Sequence, residues 1–161
     1  MKGFFPHIRI TQVIHTFCLV GILLTVPTTG LRADDVIPNL HRAARWGQAQ
    51  LVQMLLENGI NPNTQDIMGR TALHHGAYYP AVVRVLLEYG ANPTITDRFG
   101  NTPLHMALSD YTSVQLLIDA GADVNAKNII GQSPLDRVFR MGNSRRNRET
   151  VRIMLAADGS S

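Results

Sequence analysis

The sequence predicts an all-α fold, a solenoid of about four stacked helix-turn-helix repeats with connecting β-hairpin loops, after an N-terminal signal segment. Three observations predict it. Gly59, Gly90 and Gly121 are spaced by 31 residues, and so are Gly69, Gly100 and Gly131, and again Leu73, Leu104 and Leu135. Each interval holds two short stretches whose apolar residues recur three and four apart, the period of one buried helical stripe. The chain has 161 residues, 45% of them apolar, which suits one modest core, and its one cysteine, Cys18, permits no intrachain bridge and no Cys-based metal centre.

Residues 1–33 read as a signal peptide. Lys2 and Arg9 precede an apolar run from about Ile10 to Val26, and small or turn-forming residues follow it, the order of a cleaved secretory leader. Gln12 and His15 interrupt a run that is barely long enough to cross a bilayer, which favours cleavage over a permanent anchor. The cut is expected after Ala33, with Gly30 as the second site. The 15 basic residues against 12 acidic ones give the whole chain a net +3. Removal of Lys2, Arg9 and Arg32 leaves a neutral chain, and Cys18 departs too. A cysteine-free mature chain suits an oxidising compartment, and the expected localisation is export to a bacterial periplasm or secretion.

The first repeat, 34–65, lacks the Asp-x-x-Gly opening of the later ones and carries Leu51, Leu55 and Leu56 on its second helix. The second, 66–96, opens on Asp66. Thr71 caps its first helix, Leu73 and Ala77 face inward, Val82, Val85 and Leu86 mark the second helix, and Gly90 ends it. The third, 97–127, repeats the pattern with Asp97, Thr102, Pro103 at the first helical position, Leu104 and Leu108, then Val114, Leu117 and Ile118, and Gly121. In the fourth, 128–161, Ser133 and Pro134 start a helix, but Asp136 stands where the others have histidine. The polar stretch 141–150 (MGNSRRNRET) precedes VRIMLAAD. A longer loop, a second helix over VRIMLAAD and a weakly packed cap are expected there. One helix pair cannot bury both its apolar faces, so neighbours must stack.

Thr102-Pro103-Leu104-His105, the Leu-Leu/Ile-x-x-Gly-Ala endings and the Asp-x-x-Gly openings together resemble the ankyrin repeat family, over about residues 34–159. Family repeats run about 33 residues, so the central units are each two short, at the turns holding Tyr79-Pro80 and Asp110-Tyr111. The resemblance implies that His41, His74 and His105 tie each helix to the neighbouring loop. A repeat width of about 10 Å between them also prevents them from sharing one ion. His75 is read as a solvated or interface histidine.

No catalytic constellation is present: no Gly-x-Ser-x-Gly, no His-Glu-x-x-His and no phosphate-binding Gly-x-x-x-x-Gly-Lys occurs. Neither catalytic residue, cofactor nor metal is expected. Arg137, Arg140, Arg145, Arg146, Arg148 and Arg152 gather at one end and are read as a solvated cap or a surface for an acidic protein, in preference to nucleic acid.

The family's variable contact positions map here onto Ile67 and Met68, Arg98 and Phe99, and Ile129 and Ile130 at the loop tips. Along the inner helices they map onto Arg45 and Trp46, Tyr78 and Tyr79, Ser109 and Asp110, and Arg140 and Met141. Apolar tips are unusual in turns, and Trp, Tyr, Met and Arg are the types that anchor interfaces. The expected function is an exported, non-catalytic scaffold, a monomer that binds another protein through its concave face and loop tips. It would bind no nucleic acid and make no stable membrane insertion after cleavage. The alternatives are a membrane-anchored adaptor with an uncleaved leader, or a secreted effector acting on a foreign-cell protein.

Overall fold

A computed structural model describes residues 40–142 and 145–159, with the side chain of Arg146 also left aside. The signal segment, Cys18 and both expected cleavage sites lie outside these residues. Among the described residues eight helices follow in order: α1 (40–45), α2 (Ala49–Glu57), α3 (Ala72–Gly76), α4 (Pro80–Glu88), α5 (Pro103–Met106), α6 (Tyr111–Asp119), α7 (Pro134–Arg140) and α8 (Arg145–Asp158). A 3₁₀ turn, Ala107–Ser109, extends α5.

Two rows result. The inner helices α3, α5 and α7 touch in sequence, and the outer helices α2, α4, α6 and α8 do the same. The core runs between the rows through Leu73, Val82, Leu86, Leu104, Val114, Leu117 and Val138, all buried.

The start and stop signals act as the sequence predicts. Thr71, Thr102 and Ser133 are extended residues that cap α3, α5 and α7, with Pro103 and Pro134 in the first turns of α5 and α7. At the other end, α4 closes with Gly90 N–H donating to the Leu87 carbonyl and Ala91 N–H to that of Leu86, and α6 repeats the pair with Gly121 and Ala122. This double bond needs a left-handed residue, and Gly90 supplies it at φ +80°.

The connecting loops depart from expectation: among the described residues they contain no β-strand and consist of turns. The first residue of each loop holds the turn instead. Asp66 Oδ1 accepts the N–H groups of Met68 and Arg70, Asp97 Oδ1 those of Phe99 and Asn101, and Asn128 Oδ1 those of Ile130 and Gln132. Each loop also closes with one backbone bond, Asp66 N–H to the Arg70 carbonyl, Asp97 N–H to that of Asn101 and Asn128 N–H to that of Gln132, but the returning amide goes to the side chain and no ladder forms. Single backbone bonds then join successive tips, Arg98 N–H to Met68 O at 2.9 Å and Ile129 N–H to Phe99 O at 3.0 Å.

The last unit corrects the sequence reading more strongly. Its polar stretch is not mainly a loop, because α8 begins at Arg145 and runs 14 residues. Asn147, Thr150 and Met154 are buried along one side of it, so the cap is packed and not loose. The Asn147 side chain donates to the carbonyls of Met141 and Gly142, both at 2.9 Å, and so joins α8 to the end of α7. At its far end the Asn125 amide donates to Asp158.

Candidate functional site

The histidines come first, because they hold the frame on which the exposed residues stand. In α5, His105 Nδ1 accepts the Thr102 N–H at 3.0 Å and lies 3.0 Å from Thr102 Oγ1, and Nε2 reaches the Gln132 carbonyl at 3.1 Å. A carbonyl only accepts, so Nε2 carries the proton and the ring is neutral. His74 repeats this with Thr71 and the Asn101 carbonyl. Burial, the main cause, holds both imidazoles below their ordinary titration range. His41 reaches the Thr64 carbonyl at 3.0 Å. Both ring nitrogens of His74 and His105 therefore have a structural duty. Among the described residues, no three His, Cys, Asp or Glu side chains form a group able to hold a metal ion.

In the last repeat Asp136 keeps only the capping half of this device. Its Oδ2 accepts the Ser133 N–H at 3.0 Å and the Lys127 ammonium at 2.6 Å, and these bonds hold its carboxyl well below the usual range. It extends no bridge to a following loop of the kind His74 and His105 make.

His75 is not solvated as the sequence suggested. It is half-buried, Nε2 lies 2.8 Å from Asp66 Oδ2, and its ring meets that of His41 edge-on at 5.4 Å. Burial depresses its titration, and Asp66 opposes that shift. For Asp66, burial resists ionisation, but the N–H groups of Arg70 and Met68 and the His75 side chain outweigh it and leave the carboxyl below the ordinary range.

The expected contact residues fall into groups. Arg45 is exposed at the end of α1, and Trp46 beside it is 68% exposed, so it does not fold down to cover the first repeat. Tyr78 and Tyr79, between α3 and α4, are 53% and 40% exposed. Arg45, Tyr78 and Tyr79 line one hollow of about 330 Å³ together with Arg70, His75 and Met106. The Tyr79 ring is placed by Gly47, where a Cβ would come within 2.8 Å of the ring. Gly47 also ends α1 in the left-handed region at φ +70°.

The tips form a second group. Ile67 is 82% exposed, and Arg98, Phe99, Ile129 and Ile130 are exposed as well, whereas Met68 is half-buried. Asp110 is engaged as the N-cap of α6, accepting the Ser113 N–H at 2.9 Å, and Ser109 is half-buried beside it. Arg140 and Met141, exposed at the end of α7, lie in the fourth repeat and do not line the hollow. Arg145, Arg148 and Arg152 project from the side of α8 opposite Asn147 and Met154.

The sequence reading missed Arg70, His75 and Met106 in the hollow. His75 is three and four residues before Tyr78 and Tyr79, the spacing of one helical side, and that signal was available. Arg70 carried none, because its place before a cap says nothing of where its side chain lies.

Comparison with known proteins follows this geometry. A family model described as ankyrin repeats (3 copies) matches residues 40–128, more than half of the chain. Rabankyrin-5 of Homo sapiens is 52% identical over 42 residues, which is 26% of this chain and 4% of that protein, and Rabankyrin-5 of Mus musculus matches to the same extent. The chain thus spans only a small part of the length of these relatives.

Proposed function

Because the chain belongs to the ankyrin repeat family, whose repeats generally mediate protein-protein interaction, we propose that it is a non-catalytic scaffold that binds a partner protein through its concave, inner-helix face and loop tips. The observation that carries this reading is the hollow between Arg45, Tyr78 and Tyr79, with Trp46 exposed beside it. Large aromatic side chains held in water lose little further freedom on binding and gain burial, as interface anchors do. The contact set comprises Arg45, Trp46, Ile67, Met68, Tyr78, Tyr79, Arg98, Phe99, Asp110, Ile129, Ile130 and Arg140. Trp46→Ala with Tyr79→Ala should weaken partner affinity by about 1 kcal/mol or more. Unchanged affinity in a folded double variant would refute the face.

Export is the second part of the proposal, and the partner would then be met in a periplasm or outside the cell by a monomeric chain. The charged, apolar and small-residue order of residues 1–33 supports it. No described helix is long and apolar enough to cross a membrane. Mass spectrometry of the mature N-terminus tests cleavage after Ala33 or Gly30. An intact Met1 would instead favour the anchored adaptor, and recovery from spent medium the secreted effector.

A further inference from the structure

We infer that the hollow on the inner helices takes a carboxylate side chain, an aspartate or glutamate of the bound partner, on Arg45 with the two tyrosines flanking it. This rests on the proposal that the inner face is the binding face. Arg45 is exposed, and among the described residues no carboxylate lies within ion-pair distance of it. Arg70 touches Asp97 through Nε only, at 3.4 Å, which leaves the outer edge of its guanidinium open. The Tyr78 and Tyr79 hydroxyls have no hydrogen-bond partner among the described residues.

The nearby acids cannot answer these donors. Asp66 accepts two backbone N–H groups with one oxygen and faces His75 with the other. Asp97 is buried, and besides Arg70 it accepts the N–H groups of Phe99 and Asn101 and the Asn101 amide. The imidazoles of His74 and His75 already face the Asn101 carbonyl and the Asp66 carboxylate. The hollow therefore holds two guanidinium groups with open N–H edges and two hydroxyls able to donate, and no carboxylate of its lining is free to meet them. A guanidinium prefers a planar acceptor that meets two N–H groups at once, which a carboxylate provides. A lysine or arginine of a partner would face two cations there. The tyrosine rings and Met106 give the flanking residues of the ligand apolar walls.

The test is selection of a random linear peptide display library on the immobilised full-length chain, followed by titration of one enriched peptide against variants. Enriched peptides should share an aspartate or glutamate. Arg45→Glu should weaken the chosen peptide about tenfold or more, and selection on that variant should turn to lysine or arginine. A thermal midpoint matching the parent would show that Arg45→Glu is folded. No enrichment, or enrichment without an acid, overturns the inference. So does an acidic peptide that ignores Arg45→Glu and is lost on Arg148→Glu with Arg152→Glu, since it would then sit on α8. Non-acidic peptides lost in the Trp46→Ala, Tyr79→Ala double variant would leave the inner-face reading standing while sinking the carboxylate. Peptides indifferent to all these positions would remove both.

Discussion

His105→Ala isolates the link between repeats. His105 is 1% exposed and Thr102 is 4% exposed, so loss of the imidazole leaves the Thr102 N–H buried without its acceptor. Such an orphaned donor costs about 1–3 kcal/mol. The Gln132 carbonyl loses its partner too, but its residue is half-buried and water can replace the ring, so this loss is about 1 kcal/mol or less. Together the substitution should destabilise by about 1–4 kcal/mol. Urea unfolding at about pH 7.5 measures it, with the slope checked for an unchanged transition. Asp136→Ala is the control, since it removes a capping bond and an exposed ion pair with Lys127 but no bridge to a following loop, and should cost less than His105→Ala. The same variant tests the charge state. His74, His75 and His105 titrate below the ordinary imidazole range, mainly because of burial. The unfolded chain then binds protons first, at about pH 6.5, so this stability is complete above that pH and is lost as pH falls below it. Between about pH 7.5 and about pH 5.5 the parent should lose stability more steeply than His105→Ala. A cost under about 0.5 kcal/mol, or identical pH slopes, would refute the bridging role.

Leu104→Ala removes a fully buried side chain between the rows and should cost about 2–5 kcal/mol. A thermal midpoint within about a degree of the parent would contradict the stacking. Gly47→Ala forces a side chain into a left-handed residue, at about 1–2 kcal/mol, and pushes on the Tyr79 ring. It should lower the thermal midpoint and weaken partner binding together, and a loss of neither would show that the ring is not placed by that glycine. Asp66→Asn removes the acid that faces His75 and opposes its depression, so His75 should titrate lower still. A His75 titration followed by NMR that does not move would exclude the ion pair.

The repeat was legible because its signals are local and periodic. Thr102-Pro103 starts a helix, Gly121 stops one, and the interval between such pairs recurs. The last helix was misread because its arginines suggested a solvated loop. Arginine and glutamate are good helix formers, and Asn147, Thr150, Val151 and Met154 keep helical spacing, so the extension was present in the pattern under its polarity. The strands expected in the loops failed for another reason: Asp66, Asp97 and Asn128 bind the amides that a ladder would have used. At the hollow, Arg45, Tyr78 and Tyr79 could be anticipated from their places at the ends of inner helices. The openness of Trp46 could not, because it depends on what packs against the first repeat and no local signal encodes that. The engagement of Asp110 was open to anticipation, since aspartate is a preferred N-cap and α6 starts at the next residue.

The bonds between successive tips span the same interval twice, from Met68 to Arg98 and from Phe99 to Ile129, and the histidine bridges do so as well, from His74 to Asn101 and from His105 to Gln132. Joints of equal span are interchangeable. A tandem duplicate of residues 66–96 spliced after the original would present to Arg98 and to the Asn101 carbonyl the same Met68 carbonyl and His74 imidazole that the original presents, because contacts reach only to neighbours. The molecule is thus built to lengthen by gene duplication without redesign of its joints, each added unit bringing a fresh tip and a fresh pair of inner-helix residues for selection to vary.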